Sequence, residues 1–178
     1  MADETRRLFF ALWPSEAVRA RLHQRMQALG IRGRAVSVSN LHLTLVFLGA
    51  CADETRAAAI AAAARVTFAP FRLTLDRLGY FARARVLWLG PDRTPCPLQA
   101  LVTALRGELA AAGVIEEGQD KQTKAFRAHV TLARKAAPPA ELGLVEPVEW
   151  PVCAFELMES VPSPRGVSYR VLAGWDAA

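Results

Sequence analysis

Cysteine is scarce in this chain, and its three copies, Cys51, Cys96 and Cys153, stand far apart. An odd count without a C-x-x-C pair argues against a disulfide framework and fits reduced thiols. Long apolar runs are missing too. The stretch at 8–13 is too short for a signal peptide, and the Ala-rich stretch at 57–64 falls far short of a membrane span. A soluble, cytoplasmic protein with no membrane partner is therefore expected. The chain has no H-E-x-x-H sequence and no Cys/His cluster, so no metal site and no cofactor are implied. It also lacks G-x-S-x-G, Walker A and G-x-G-x-x-G sequences. Their absence argues against a serine-hydrolase elbow, a P-loop and a dinucleotide fold.

What is present supports a folded core. Hydrophobic residues make up 52% of the 178 positions and charged residues 22%. That length and balance suit one domain over 1–178. The net charge of +5 favours polyanionic partners, nucleic acid above all.

Periodicity sketches the elements. Residues 8–12 read as a buried strand. Ser15 is placed to cap a helix with apolar Val18, Leu22, Met26 and Leu29, which Gly30 ends. A second strand lies within 36–49, and an Ala-rich helix runs from Asp53 or Thr55 to about Val66. Residues 71–75 alternate as a half-buried strand, 78–81 extend or follow it, and 85–90 look like its hairpin partner. A helix over 95–112 carries Leu98, Leu101, Val102, Leu105 and Leu109. A polar loop at 116–125 precedes a strand at 126–134. Pro138-Pro139 marks a connector, and strands at 152–161 and 167–175 close the chain. Neighbouring strands look hairpin-joined, which favours an α+β fold over a doubly wound sheet.

Two of the chain's three histidines sit in one repeated tetrapeptide, His42-Leu43-Thr44-Leu45 and His129-Val130-Thr131-Leu132. Side chains alternate along a strand, so His and Thr two apart face the same way. Strict alternation puts Leu41, Leu43, Leu45 and Phe47 on one face and His42, Thr44 and Val46 on the other. An apolar face calls for packed helices and leaves the His/Thr face to line a cleft. The copies lie about half the chain apart, each in a half with a helix and several strands. Two related lobes are expected. His23 has no such partner and reads as a surface residue of the first helix.

Imidazole titrates near neutrality, so one ring can be neutral while its twin is protonated. Such a pair suits in-line displacement at phosphorus. One His takes the proton of the attacking oxygen, and the other protonates the departing oxygen. The Thr44 and Thr131 hydroxyls would hold the non-bridging oxygens.

At these residues the chain resembles the 2H phosphoesterase superfamily, and within it the bacterial and archaeal RNA 2′,3′-cyclic phosphodiesterase (2′-5′ RNA ligase-like) family. The resemblance extends to Arg7-Leu8-Phe9-Phe10-Ala11-Leu12, to 40–49, 85–90 and 126–134, and to the ending from Tyr169 to Trp175. It implies two pseudo-symmetric lobes, each with an antiparallel sheet and outer helices, flanking a central cleft. It implies hydrolysis of an RNA-terminal 2′,3′-cyclic phosphate to a 2′-phosphate, by a protein expected to be a monomer. His42 would donate a proton to the departing 3′-oxygen and His129 would accept one from water. The motif itself leaves that order open. Arg134 falls where relatives use an arginine near the phosphate, although strict alternation places it opposite His129. It reaches the cleft only if the strand twists, bulges or ends. Arg127, Lys121 and Lys124 are candidates for steering RNA phosphates. Alternatives are joining or cleaving 2′-5′ linkages in tRNA halves, action on a small nucleotide, and binding of RNA ends without turnover.

Overall fold

The structure, a computed structural model, describes residues 5–116, 126–164 and 166–178. The polar loop expected at 116–125, with Lys121 and Lys124, lies outside these apart from Glu116. The element order is β1 (Arg6–Leu12), α1 (Glu16–Ala28), β2 (Arg34–Ala35), a 3₁₀ turn (Val38–Asn40), β3 (Leu43–Cys51), α2 (Asp53–Ala63), β4 (Phe71–Phe81) and β5 (Val86–Gly90). Then come α3 (Cys96–Ala111), β6 (Val130–Arg134), β7 (Gly143–Val152), β8 (Ala154–Ser163) and β9 (Gly166–Asp176). The class is α+β, as the hairpin-like spacing implies.

Local chemistry sets the boundaries. The Ser15 hydroxyl accepts from the Val18 amide at 3.4 Å and starts α1. Gly30 follows the helix at φ +53, a left-handed conformation that glycine tolerates without strain. Pro97 sits in the first turn of α3, where a missing N–H costs nothing.

One sheet of nine antiparallel strands organises the described residues, in the order β7-β4-β5-β6-β3-β1-β8-β9, with β2 pairing to β6. The motif strands β3 and β6 meet at its centre, Leu43 opposite Val130. On each side follow one inner neighbour and two outer strands. Helix residues Val18, Leu22, Ala59, Ala62, Leu98, Leu101 and Leu105 pack with Leu8, Phe10, Leu43, Leu45, Val130 and Leu132 of the sheet into one buried core. The opposite parity of β1 turns Phe9 and Ala11 to the other face, where they join Met158, Trp13 and Tyr169.

Strand β7 has no counterpart in the pattern read from the sequence, in which Pro138-Pro139 marks a connector and the next strand begins at 152. Pro147 and Pro151 argue against a strand, yet β7 forms at the edge of the sheet. There one side of the backbone is unpaired, so a missing N–H is tolerated. Val148, Trp150 and Val152 still alternate into the core.

The inner neighbours of the motif strands differ in size. Ala11 faces Thr44, whereas Trp88 of β5 faces Thr131. Gly79 of β4 makes room for the indole, because a Cβ there would lie 1.9 Å from Trp88 Cζ2. The ring also lies 6.1 Å from the His129 ring. Gly79→Ala should therefore overpack this site and lower stability by about 1–3 kcal/mol, with Trp88 fluorescence perturbed. Urea unfolding measures the change, and an unaltered midpoint would refute the packing.

Candidate active site

Each histidine lies one residue ahead of its strand, and the backbone after it does the same thing twice. Across β1 and β3, Ala11 pairs with Thr44 but Phe10 pairs with Val46, which leaves Leu45 unmatched. Across β5 and β6, Trp88 pairs with Thr131 but Leu87 pairs with Ala133, which leaves Leu132 unmatched. Both are β-bulges at the Leu of H-x-T-L. The first five residues of β3 and the five of β6 share one burial sequence: buried, partly exposed, buried, buried, exposed. An extra residue reverses the side-chain parity beyond it.

This corrects the alternation read from the sequence. Phe47 does not share the apolar face with Leu41, Leu43 and Leu45; it is 46% exposed and lines the cleft. Arg134 turns to the same side as His129 and Thr131, and it too lines the cleft. The symmetric bulges thus deliver different residues, an aromatic ring from the first copy and a guanidinium from the second.

The register sets the motifs head to tail. With Leu43 opposite Val130 in an antiparallel pair, His42 stands across from Thr131 and Thr44 across from His129. His42, Thr44, Thr131 and Arg134 line a cleft of about 1310 Å³. His129 is not on that wall, but it and Arg134 both act electrostatically on His42.

The imidazoles are held alike. Nδ1 of His42 lies 2.7 Å from the Asn40 carbonyl, and Nδ1 of His129 lies 2.7 Å from the Arg127 carbonyl. A carbonyl only accepts, so each Nδ1 carries the proton. Nε2 is left as the proton-exchanging nitrogen. Rings pack around both. His42 stacks on Trp13 (centroids 5.7 Å apart, 12° between planes), with Phe9 at 5.0 Å and Tyr169 at 4.9 Å. His129 meets Phe81 edge-on at 5.1 Å.

Burial disfavours the imidazolium at both positions. It pushes the pKa of His42 down to about 4, helped by the positive charges of Arg134 and His129 and opposed by the Asn40 carbonyl. His129 is pushed down for the same first reason, opposed by the Arg127 carbonyl, with Arg134 and Arg127 also lowering it. Both rings are therefore neutral in the ligand-free protein at pH 7. Burial thus works against the neutral-and-protonated pair expected from histidine's ordinary pKa.

The remaining sequence candidate is placed differently. The Arg127 guanidinium lies 4.8 Å from the centre of the Trp88 ring, and its side chain is not on the cleft wall. Sequence reasoning missed the carbonyl anchors, the cage around His42 and the cleft position of Phe47. A signal for the last was available. Leu45-Val46 and Leu132-Ala133 put two apolar residues in succession where alternation calls for one. Among the described residues, no three or more His, Cys, Asp or Glu side chains gather to hold a metal ion.

Known proteins show the same arrangement of chain. The family model of the 2′-5′ RNA ligase superfamily matches residues 13–162. The RNA 2′,3′-cyclic phosphodiesterase of Escherichia coli is 38% identical over 76% of this chain and 75% of its own. The protein of that name from Thermus thermophilus is 37% identical over 93% and 87%. Among solved structures, E. coli LigT complexed with 3′-AMP superposes with a TM-score of 0.84 at 31% identity, over 98% of each chain. The family model spans most of the chain, and two of these relatives exceed 30% identity over most of their length. The chain belongs to the 2′-5′ RNA ligase superfamily.

Proposed function

We propose that this protein hydrolyses the 2′,3′-cyclic phosphate at an RNA end to a 2′-phosphate, with His42 and His129 as the acid–base pair and no metal ion. The observation that carries the reading is the antiparallel setting of two H-x-T-L units, each with Nδ1 anchored on a carbonyl. The names of the relatives support the substrate.

In this reading water attacks phosphorus on one side of the ring phosphate, and the bond from phosphorus to the 3′-oxygen breaks on the other. His129 Nε2 takes the water proton, and His42 Nε2 gives a proton to the departing 3′-oxygen. The next turnover begins once the two rings have exchanged protons with solvent. Thr44 and Thr131 hold the non-bridging oxygens, and Arg134 balances charge as it builds. The bound phosphate anion favours the imidazolium and so supplies the proton that burial otherwise excludes. Arg127 fixes His129 through its carbonyl and braces Trp88, a positioning role that leaves its charge able to steer RNA phosphates as the sequence suggests. Phe47 offers the cleft a ring face for a base.

The test is product analysis. An oligonucleotide with a 2′,3′-cyclic phosphate should yield a 2′-phosphate in the presence of EDTA, whereas a 3′-phosphate or an unchanged end would overturn the proposal. His42→Ala and His129→Ala should each lower kcat by about 10²–10⁴-fold. An aryl phosphodiester with a nitrophenolate leaving group should restore much of the loss in His42→Ala and little in His129→Ala, because such a leaving group needs no acid. The opposite pattern would exchange the roles.

Both free-protein pKa values lie below the usual 6.5, so the pH dependence has a definite sign. The base loses activity as pH falls through its pKa, and the acid loses it as pH rises through its own. The maximum of kcat/KM, which reports the free protein, should therefore lie below about pH 6.5. That of kcat should lie higher, because the bound anion raises both pKa values. Coincident maxima at about pH 8 or above would contradict the burial argument.

A further inference from the structure

Beyond the reacting groups, the cleft continues into a cation-rich end. Arg34 of β2 stands directly opposite Arg134 of β6, and both line the cleft. Facing positions in a ladder bring their side chains close, so the two guanidinium groups concentrate positive charge on this stretch of the cleft wall. Lys135 follows at φ +50, a left-handed backbone uncommon for a residue with a side chain, and it lines the cleft as well. Arg34 reaches towards the turn between β8 and β9: a Cβ on Gly166 would lie 3.1 Å from its Nη2. The carboxylate on the cleft wall, Glu159, is already engaged by Arg170 and by Arg6.

Size points the same way. A cleft of about 1310 Å³ exceeds the roughly 300–1,000 Å³ of a small-molecule pocket. Arg134 lies three residues along β6 from Thr131, with one of them bulged out. That displacement is about 7–10 Å, comparable to one nucleotide step.

We propose that Arg34 and Lys135 form a second phosphate subsite, which takes the internucleotide phosphate preceding the cyclic end. The inference rests on the acid–base reading of His42 and His129. It makes the preferred substrate an RNA end of at least two nucleotides, with Arg134 between the two phosphates.

The experiment measures binding of a 2′-phosphorylated mononucleotide and a 2′-phosphorylated dinucleotide by calorimetry across a salt series. Wild type should bind the dinucleotide more tightly, with a slope of log affinity against log salt steeper by about 0.7 per added phosphate contact. The double variant Arg34→Gln, Lys135→Gln should lose about tenfold for the dinucleotide and that part of the slope. Arg34→Lys should keep most of both. Thermal unfolding checks that the variants are folded. Equal affinity of wild type for the two ligands, or equal weakening of both in the double variant, would overturn the subsite while hydrolysis of the cyclic end continues. Failure to bind either ligand, with no hydrolysis, would overturn the acid–base reading and the subsite together.

Discussion

The cleft depends on one backbone constraint, the extra residue that follows each His-x-Thr. Without it, period-two alternation would send position five after each histidine into the core, where a guanidinium would be buried without solvent or partner. Leu45 and Leu132 absorb the parity change by remaining buried next to another buried residue, Val46 or Ala133. An apolar pair in succession is tolerable because helices cover that face. The opposite face then receives His, Thr and a third residue from each copy. The bulge lets one strand serve a dry core on one side and a polar site on the other.

Symmetry of backbone does not bring symmetry of environment. Both histidines use the same anchor and the same tautomer, so their chemical equipment is equal. Their surroundings are not. His42 is enclosed by Phe9, Trp13 and Tyr169, whereas His129 rests near Phe81 and a Trp88 braced by Arg127. The third residue is Phe47 in one copy and Arg134 in the other. A repeated unit thereby yields an asymmetric site: the first copy supplies an aromatic ring with the Arg7 guanidinium over it, and the second supplies a guanidinium of its own.

Much of this was legible in the residues. The α+β class, the three helices and the shared direction of His and Thr follow from periodicity and turn chemistry. The match at 40–49 and 126–134 pointed to the family. What was not legible has physical reasons. β7 was hidden by Pro147 and Pro151, which only an edge position tolerates. The side on which Phe47 and Arg134 emerge depends on register with a neighbouring strand, which no single strand encodes. The depressed pKa of His42 arises from burial among rings contributed by β1, β9 and the segment between β1 and α1. Sequence spacing carries no information about that enclosure. The pairing of Arg34 with Arg134 is likewise a long-range contact between a two-residue strand and a motif strand.

Two imidazoles, set near each other by the pairing of β3 with β6, are proposed to share one anion. The most direct measurement is ¹⁵N NMR of the imidazole nitrogens at neutral pH during titration with a 2′-phosphorylated mononucleotide. In the free protein both rings should be neutral, with the proton on Nδ1. On titration the Nε2 signals of His42 and His129 should move together, with one dissociation constant and one ligand per chain. Response of a single histidine, or two responses with separate affinities, would show two unconnected sites and contradict it.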